Sequence, residues 1–220
     1  MGRRHIFIVR HGQADPTARP GDGLGGSLTD LGRAQAQLVG RRLASQRVDV
    51  IHHSVLHRAA ETAQIIHQQL PRVVPLQPSD LLREVIPYIP SDFITWYLAN
   101  EQALAQNAIQ PPQEYIPWID TWPHSTSLQE LERGFAQAKR AYESFFCPSP
   151  DLDRVDVLVC HGNILRYFVV RALQAPLEAW INTDINNCGI SEVVIEESGS
   201  AILLAHNSTG HMPADMLTFV

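Results

Sequence analysis

The chain has 220 residues, of which 45 % are hydrophobic and 18 % charged, so we expect a packed core in a single domain spanning residues 1–220. A formal net charge of -6 argues against a nucleic-acid-binding surface, and no apolar run approaches the ~20 residues of a membrane span. Three cysteines without CxxC spacing, and an apolar start too short for a secretory signal, favour a reducing compartment. We therefore expect a cytoplasmic protein, or a mitochondrial one only if a leader or anchor is missing from this chain.

The predicted elements alternate between strands and helices along the chain. Residues 6–9 are β-branched and aromatic, which predicts a buried strand, and Thr29 stands where a helix N-cap is expected. A helix follows Thr29, and further helices are predicted at 58–69, about 91–106, 127–146 and 163–174. Further strands are predicted at 48–51, 155–160, 190–195 and 201–205, the last two as a hairpin. Eight prolines interrupt residues 75–125, so we expect an irregular insertion at about 85–125 that acts as a substrate cap.

This alternation predicts a three-layer α/β/α fold with a mostly parallel central sheet. Ligands of such sheets bind beyond the carboxyl ends of the strands. The tripeptides Arg10-His11-Gly12 and His161-Gly162-Asn163 each follow a predicted strand directly. We therefore expect both histidines to lie in one crevice, although they are far apart in the sequence.

The residues expected there suit phosphoryl transfer. A neutral imidazole is a nucleophile, and guanidinium groups bind phosphoryl oxygens and offset the charge that the nucleophile meets. Arg10 precedes His11, and Arg58 opens the helix after the second predicted strand, so both can reach the crevice. Glu84, at the start of the insertion, could protonate a leaving alkoxide, because a nearby phosphate would raise its pKa.

Each of these residues also has a simpler interpretation. Arg58 could pair with Glu61 on its own helix, and Glu84 could form a solvated pair with Arg83. His53 and His57 have metal-ligand spacing, but no set of carboxylates accompanies them, so we expect no metal site. Cys160 is interpreted as a core residue, and the sequence leaves open whether Trp96, Trp118 and Trp122 pack in the core or line a substrate pocket.

Taken together and in this order, the motifs resemble the histidine phosphatase (phosphoglycerate mutase-like) superfamily over almost the whole chain. The resemblance implies that His11 is the phosphorylated nucleophile, that Arg10, Arg58 and His161 complete the phosphate pocket, and that Glu84 is the proton donor. It implies polar pocket positions at Gln13, Thr17 and Asn163, and neither a metal nor an organic cofactor. The motifs that carry it are residues 6–13, 28–36, 54–63, Glu84 and 160–163.

Within the superfamily, the chain is most similar to the mitochondrial serine/threonine protein phosphatases, through residues 4–7, 80–84, 161–174, 178–180, 186–187 and 209–213. The expected activity is hydrolysis of a phosphomonoester, in a phosphoprotein or a small phosphate ester, through a phosphohistidine. A second copy of the chain, in a homodimer, is a candidate partner. A phosphoglycerate mutase is the main alternative, but mutases need extra cations, and no Lys or Arg lies between Glu84 and Glu132. A catalytically idle scaffold that binds a partner peptide is the third interpretation.

Overall fold

A central β-sheet organises the structure, a computed structural model that describes residues 1–15, 17, 26–121 and 126–219. Within these residues the sheet has six strands in the order β3-β2-β4-β1-β5-β6. Neighbours in the run β3-β2-β4-β1 pair in parallel. Strand β5 pairs antiparallel with β1 on one side and with β6 on the other. The strands are β1 (Arg4–Arg10), β2 (Val50–Ser54), β3 (Leu76–Ser79), β4 (Arg154–Cys160), β5 (Ile190–Ile195) and β6 (Ala201–Ser208).

Helices cover both faces of this sheet, which confirms the expected α/β/α fold. They are α1 (Asp30–Leu43), α2 (His57–Gln69), α3 (Ser91–Ala105), α4 (Ile116–Thr121), α5 (Leu128–Phe145) and α6 (Gly162–Ala172). Side chains alternate along β1, so that Ile6 and Ile8 pack with α5 and α6 while Phe7 and Val9 pack with α1 and α2. The apolar residues of α1, α2, α5 and α6 thus form two clusters, one on each side of the sheet.

Most predicted elements are present, and the differences have local causes. Thr29 caps α1 as expected, because its hydroxyl accepts a hydrogen bond from the Gly32 amide at 3.0 Å. Strand β2 lies later than predicted, at Val50–Ser54, because the half-buried His52 and His53 continue the ladder. Strand β3 was not predicted, since it has four residues and contains Pro78, which is tolerated at a sheet edge.

The insertion is partly helical and has its own apolar cluster. Helix α3 confirms the helix predicted near 91–106, while the short helix α4 was not predicted. Phe93, Tyr97, Trp118 and Trp180 belong to this cluster, with Trp96 packed against it. Trp96 and Trp118 are therefore packing residues, and Trp122 lies outside the described residues.

Candidate functional site

The carboxyl ends of three neighbouring parallel strands bring the candidate residues together. Strand β1 leads into His11, β4 leads into His161, and β2 leads through Ser54 to helix α2, which carries Arg58. The His11 amide donates to the Cys160 carbonyl at 3.0 Å, so the β1–β4 ladder continues to the site. The centroids of the His11 and His161 rings are 5.0 Å apart.

Two hydrogen bonds define the protonation of the His11 ring. Nδ1 lies 2.8 Å from the Gly12 carbonyl oxygen, which can only accept, so Nδ1 carries the hydrogen. Arg58 Nε donates to His11 Nε2 at 3.0 Å, so Nε2 has its lone pair available. Burial and then the Arg58 charge lower the pKa of His11 to about 3. At neutral pH the ring is uncharged, and Nε2 is its nucleophilic atom.

A close approach between the chain after β1 and helix α1 holds His11 in place. The Gly12 amide donates to Thr62 Oγ1 at 3.1 Å, which ties the turn to α2. A Cβ at Gly12 would meet the Gly32 carbonyl oxygen, and a Cβ at Gly32 would meet the Gln13 carbonyl oxygen. Only glycine at both positions lets the backbone come this near, because any Cβ would push the turn off the helix.

The two arginines approach the same cavity from different elements. Arg10 donates to the Ile185 carbonyl oxygen at 2.5 Å, and Arg58 reaches His11 from α2. Glu61, the alternative partner of Arg58, accepts instead from Arg33 at 3.0 Å and from the Leu28 amide at 3.1 Å. Arg58 is thus directed to the imidazole rather than along its own helix.

His161 is fully buried next to His11. Its Nε2 lies 2.8 Å from Ser54 Oγ, and its Nδ1 has no hydrogen-bond partner among the described residues. Burial, then the neighbouring His11 and arginines, hold the pKa of His161 well below its usual value, so the ring is neutral. If the Ser54 hydroxyl donates to Nε2, Nδ1 carries a hydrogen that a phosphoryl oxygen could accept.

Glu84 lies over the amino terminus of α6. Its two carboxyl oxygens face the Asn163 and Ile164 amides, each at 3.4 Å. Burial raises the pKa of Glu84, although these amides and Arg58 oppose the rise. The alternative partner Arg83 pairs with Asp80 at 2.8 Å instead. Glu84 is therefore placed as a carboxyl group that can hold a proton near the two arginines.

Arg10, His11, Arg58 and Glu84 line a cavity of about 330 Å³, which we call the site cavity, while His161 is not part of its described lining. Asn187 was missed by the sequence reasoning; its Nδ2 donates to the His11 carbonyl oxygen at 3.2 Å. Residues 186–187 contribute to the family likeness, but their spacing from the other motifs does not indicate a place at the site. The described lining residues are Arg10, His11, Ala14, Gly26, Arg58, Glu84 and Asn187.

The three other polar residues expected in the pocket hydrogen-bond to neighbouring side chains. Gln13 Oε1 accepts from the Thr29 hydroxyl at 2.8 Å, and exposed Thr17 donates to Asp15 at 2.6 Å. Asn163 Oδ1 faces Arg166 at 3.4 Å, and Asn163 lines the cavity next to the site cavity. None of the three belongs to the described lining of the site cavity.

Cys160 is fully buried in the core as expected, and burial raises its pKa. Among the described residues, no group of three His, Cys, Asp or Glu side chains is arranged to hold a metal ion.

The chain belongs to the histidine phosphatase superfamily (branch 1), whose family model matches residues 6–208. This confirms the expected class, a histidine-dependent phosphatase. Among curated proteins, "Serine/threonine-protein phosphatase PGAM5, mitochondrial" of Homo sapiens is 34 % identical over 220 residues, covering 98 % of this chain and 66 % of that protein. The Caenorhabditis elegans protein of the same name is 32 % identical over 223 residues, with 98 % and 66 % covered. This chain therefore spans about two thirds of the length of these relatives.

Solved structures agree on the fold. A phosphoglycerate mutase from Plasmodium falciparum superposes with a TM-score of 0.57 at 28 % identity, covering 100 % of both chains. An alpha-ribazole phosphatase from Shigella flexneri gives 0.63 at 20 % identity, covering 93 % of this chain and 96 % of that one, and supports the fold alone. The phosphoglycerate mutase-like fold is confirmed.

The expected cytoplasmic location is wrong. The similar curated proteins of Homo sapiens, Xenopus tropicalis and Caenorhabditis briggsae are all named mitochondrial, which points away from the cytoplasm. Within the part of the chain that the structure describes, no helix is long and apolar enough to cross a membrane.

Proposed function

We propose that this chain hydrolyses phosphoserine and phosphothreonine in proteins through a phosphohistidine at His11. The observation that carries the proposal is the neutral His11 ring, whose Nε2 lone pair is flanked by Arg10, Arg58 and Glu84 at one cavity. The choice of a protein substrate is supported by the names of the curated relatives.

The first step transfers the phosphoryl group to the enzyme. Arg58 moves its donor from His11 Nε2 to a phosphoryl oxygen, and Arg10 binds another. Nε2 then attacks phosphorus, and the bond from phosphorus to the serine or threonine oxygen breaks. Glu84 gives its proton to that oxygen, while His161 Nδ1–H donates to the phosphoryl group.

The second step releases phosphate. Water attacks phosphorus of phospho-His11, Glu84 accepts a proton from that water, and the bond between Nε2 and phosphorus breaks. The lone pair returns to Nε2, and inorganic phosphate leaves with Glu84 protonated again. The hydrogen bond from Nδ1 to the Gly12 carbonyl keeps the ring orientation through both steps.

A mutase is the second candidate, favoured by the likeness to the Plasmodium falciparum structure. A mutase substrate carries a carboxylate besides its phosphate, and that group needs further cations. The described lining of the site cavity has only Arg10 and Arg58 as cations, and residues 85–132 contain no Lys or Arg. This charge distribution favours a phosphate ester whose remaining part is not anionic.

The proposal is tested with the purified chain on a phosphothreonine peptide, p-nitrophenyl phosphate and 3-phosphoglycerate. We expect steady phosphate release from the first two and only slow conversion of the third to 2-phosphoglycerate. Fast interconversion would assign a mutase, and no turnover of any substrate would assign a binding scaffold.

His11→Ala is the first variant to measure. Because it removes the nucleophile, we expect the turnover of every substrate to fall by at least about 10³-fold. When the wild-type chain is quenched during turnover of a ³²P-labelled substrate, we expect an acid-labile phosphohistidine on the protein. This label should be absent from the variant. Retained turnover would show that another residue is the nucleophile.

The homodimer expected from the sequence stays a prediction. Size-exclusion chromatography with light scattering measures the mass of the protein in solution and distinguishes one chain from two.

A further inference from the structure

Three neighbouring cavities share wall residues and lead away from His11. The second cavity, of about 450 Å³, shares Glu84 with the site cavity. The third, of about 370 Å³, shares Ile86 and Leu131 with the second. Each cavity therefore lies next to the one before it, and we call the row of three the groove.

The walls of the groove are the segment 85–91 and helix α5. Gly134 lets these walls come close, since a Cβ there would lie 2.8 Å from the Ile86 carbonyl oxygen. Glycine inside a helix costs roughly 1 kcal/mol relative to alanine, so its place at this contact has a structural reason. The groove is therefore formed by the backbone path and not by side-chain rotamers alone.

The far end of the groove, the third cavity, is an apolar cleft. Leu128 and Phe135 of α5 line it with 41 % and 36 % of their surface exposed. Tyr88 packs edge-on against Phe135, with ring centroids 5.8 Å apart. Exposed apolar side chains gathered in one concave place favour an apolar ligand group.

Hydrogen bonds hold both walls in place. Trp180 Nε1 donates to the Tyr88 carbonyl oxygen at 2.9 Å, which anchors the segment 85–91. Ser127 and Glu130 form a capping box that fixes the start of α5. A cleft whose walls are anchored costs less ordering on binding than one that must open.

We propose that the groove binds the polypeptide on one side of the phosphorylated residue, and that the apolar cleft takes an aliphatic or aromatic side chain of that polypeptide. The proposal rests on the protein phosphatase function above. Continuity with the site cavity supports it, because a chain leaving the phosphate can follow the shared walls. The charges of the apolar cleft agree, because Glu132 is the only charged residue in its described lining and would repel an anionic metabolite. The second cavity carries Arg133 together with Glu84 and Glu130.

The experiment is a positional scan with phosphothreonine peptides. The host peptide contains alanine and serine, and one leucine is placed at each position in turn on either side of the phosphothreonine. We expect leucine at one position on one side to raise kcat/KM by roughly tenfold, the scale expected from burying much of a leucine side chain. Decyl phosphate serves as a substrate with an apolar tail but no peptide.

Leu128→Asp tests whether that gain arises in the cleft. Leu128 is the first residue of α5, where a carboxylate is compatible with the helix dipole, so the fold should be retained. The leucine gain should disappear, lysine at the same peptide position should now be preferred, and p-nitrophenyl phosphate turnover should stay within twofold. Val73→Asp, at an 88 % exposed aliphatic residue outside the groove, is the matched control and should keep the leucine gain.

The outcomes separate the two proposals. Peptide turnover with no positional gain, or a gain that persists in Leu128→Asp, would overturn the groove assignment and leave the phosphatase function standing. Turnover of p-nitrophenyl phosphate without turnover of any peptide would overturn the protein phosphatase function and the groove assignment with it. Decyl phosphate turned over faster than every peptide would assign the cleft to small apolar esters instead.

Discussion

The proton of Glu84 matters only for some leaving groups, which makes its role testable at the level of one residue. An alkoxide leaving group needs a proton, whereas p-nitrophenolate leaves without one. We expect Glu84→Gln to lower kcat/KM for a phosphothreonine peptide by about 10²-fold or more, and that for p-nitrophenyl phosphate by much less. Equal losses on both substrates would contradict the acid role.

The pH dependence should follow from the same carboxyl group. Burial raises the pKa of Glu84, so its acid form extends to higher pH than for an ordinary glutamate. Peptide turnover should fall as the pH rises through that pKa, because the proton donor is lost. The falling limb should be absent in the residual activity of Glu84→Gln, measured over the same pH range.

Buried His11 couples the stability of the fold to pH. Its pKa is about 3 in the folded state, against an ordinary value near 6.5 in the unfolded chain. As the pH falls below about 6.5, His11 therefore becomes protonated in the unfolded state, whereas in the folded state it stays neutral down to about pH 3. Stability is lost as the pH falls through this window and is unaffected by His11 above it.

His11→Asn tests this coupling. Between pH 6 and pH 4, the variant's free energy of unfolding should fall less steeply than the wild type's, by about 1.4 kcal/mol per pH unit at most. Urea unfolding at several pH values measures the slope, and the difference at pH 8 gives the packing cost of the substitution alone. Parallel slopes for the two proteins would show that His11 already binds its proton in the folded state.

At the scale of elements, the contact between α1 and the turn after β1 should tolerate no added atom. Gly32→Ala would place a methyl group against the Gln13 carbonyl oxygen, so we expect a loss of about 1–3 kcal/mol in stability and a displaced His11 with reduced turnover. Gly210→Ala is the control, since nothing lies within 4 Å of a Cβ there. Chemical denaturation and p-nitrophenyl phosphate turnover report the two effects, and similar results for both variants would contradict this role of Gly32.

The same scale shows why the sequence predicts some elements and not others. Residues that carry their own signal were found: the Thr29 cap, and the buried strand that becomes β4. Strand β3 has no such signal, because its pairing with β2 and not its composition makes it a strand. The site also contains residues of both kinds. His11 and His161 could be predicted because they follow strands, whereas Asn187 is positioned by a hydrogen bond from its backbone amide to the Thr218 carbonyl oxygen, far away in the sequence.

At the scale of the whole molecule, Arg166 connects the insertion to the catalytic end of the sheet. It leaves α6 and donates to the Trp180 and Ile181 carbonyl oxygens at 2.9 and 2.8 Å, with its guanidinium 4.9 Å from the Trp180 ring centroid. Trp180 in turn holds the segment 85–91 through Tyr88. The chain that follows supplies the Ile185 carbonyl for Arg10. One side chain thus supports both a wall of the groove and an arginine of the site.

Arg166→Leu should therefore impair catalysis although Arg166 is not part of the described lining of the site cavity. The part-buried Ile181 carbonyl loses its side-chain donor and the Trp180 carbonyl keeps only the Thr183 hydroxyl, which costs on the order of 1 kcal/mol in stability, and we expect kcat/KM for the phosphothreonine peptide to fall about tenfold. Because the segment 85–91 shapes the groove, KM for the peptide should rise more than KM for p-nitrophenyl phosphate.

Arg171→Leu is the matched control, since it removes the same charge from an exposed position on α6, where the guanidinium lies 5.4 Å from the Tyr142 ring centroid. If both variants lose stability and activity equally, the connection runs through the charge of the helix and not through the contacts of Arg166 with Trp180.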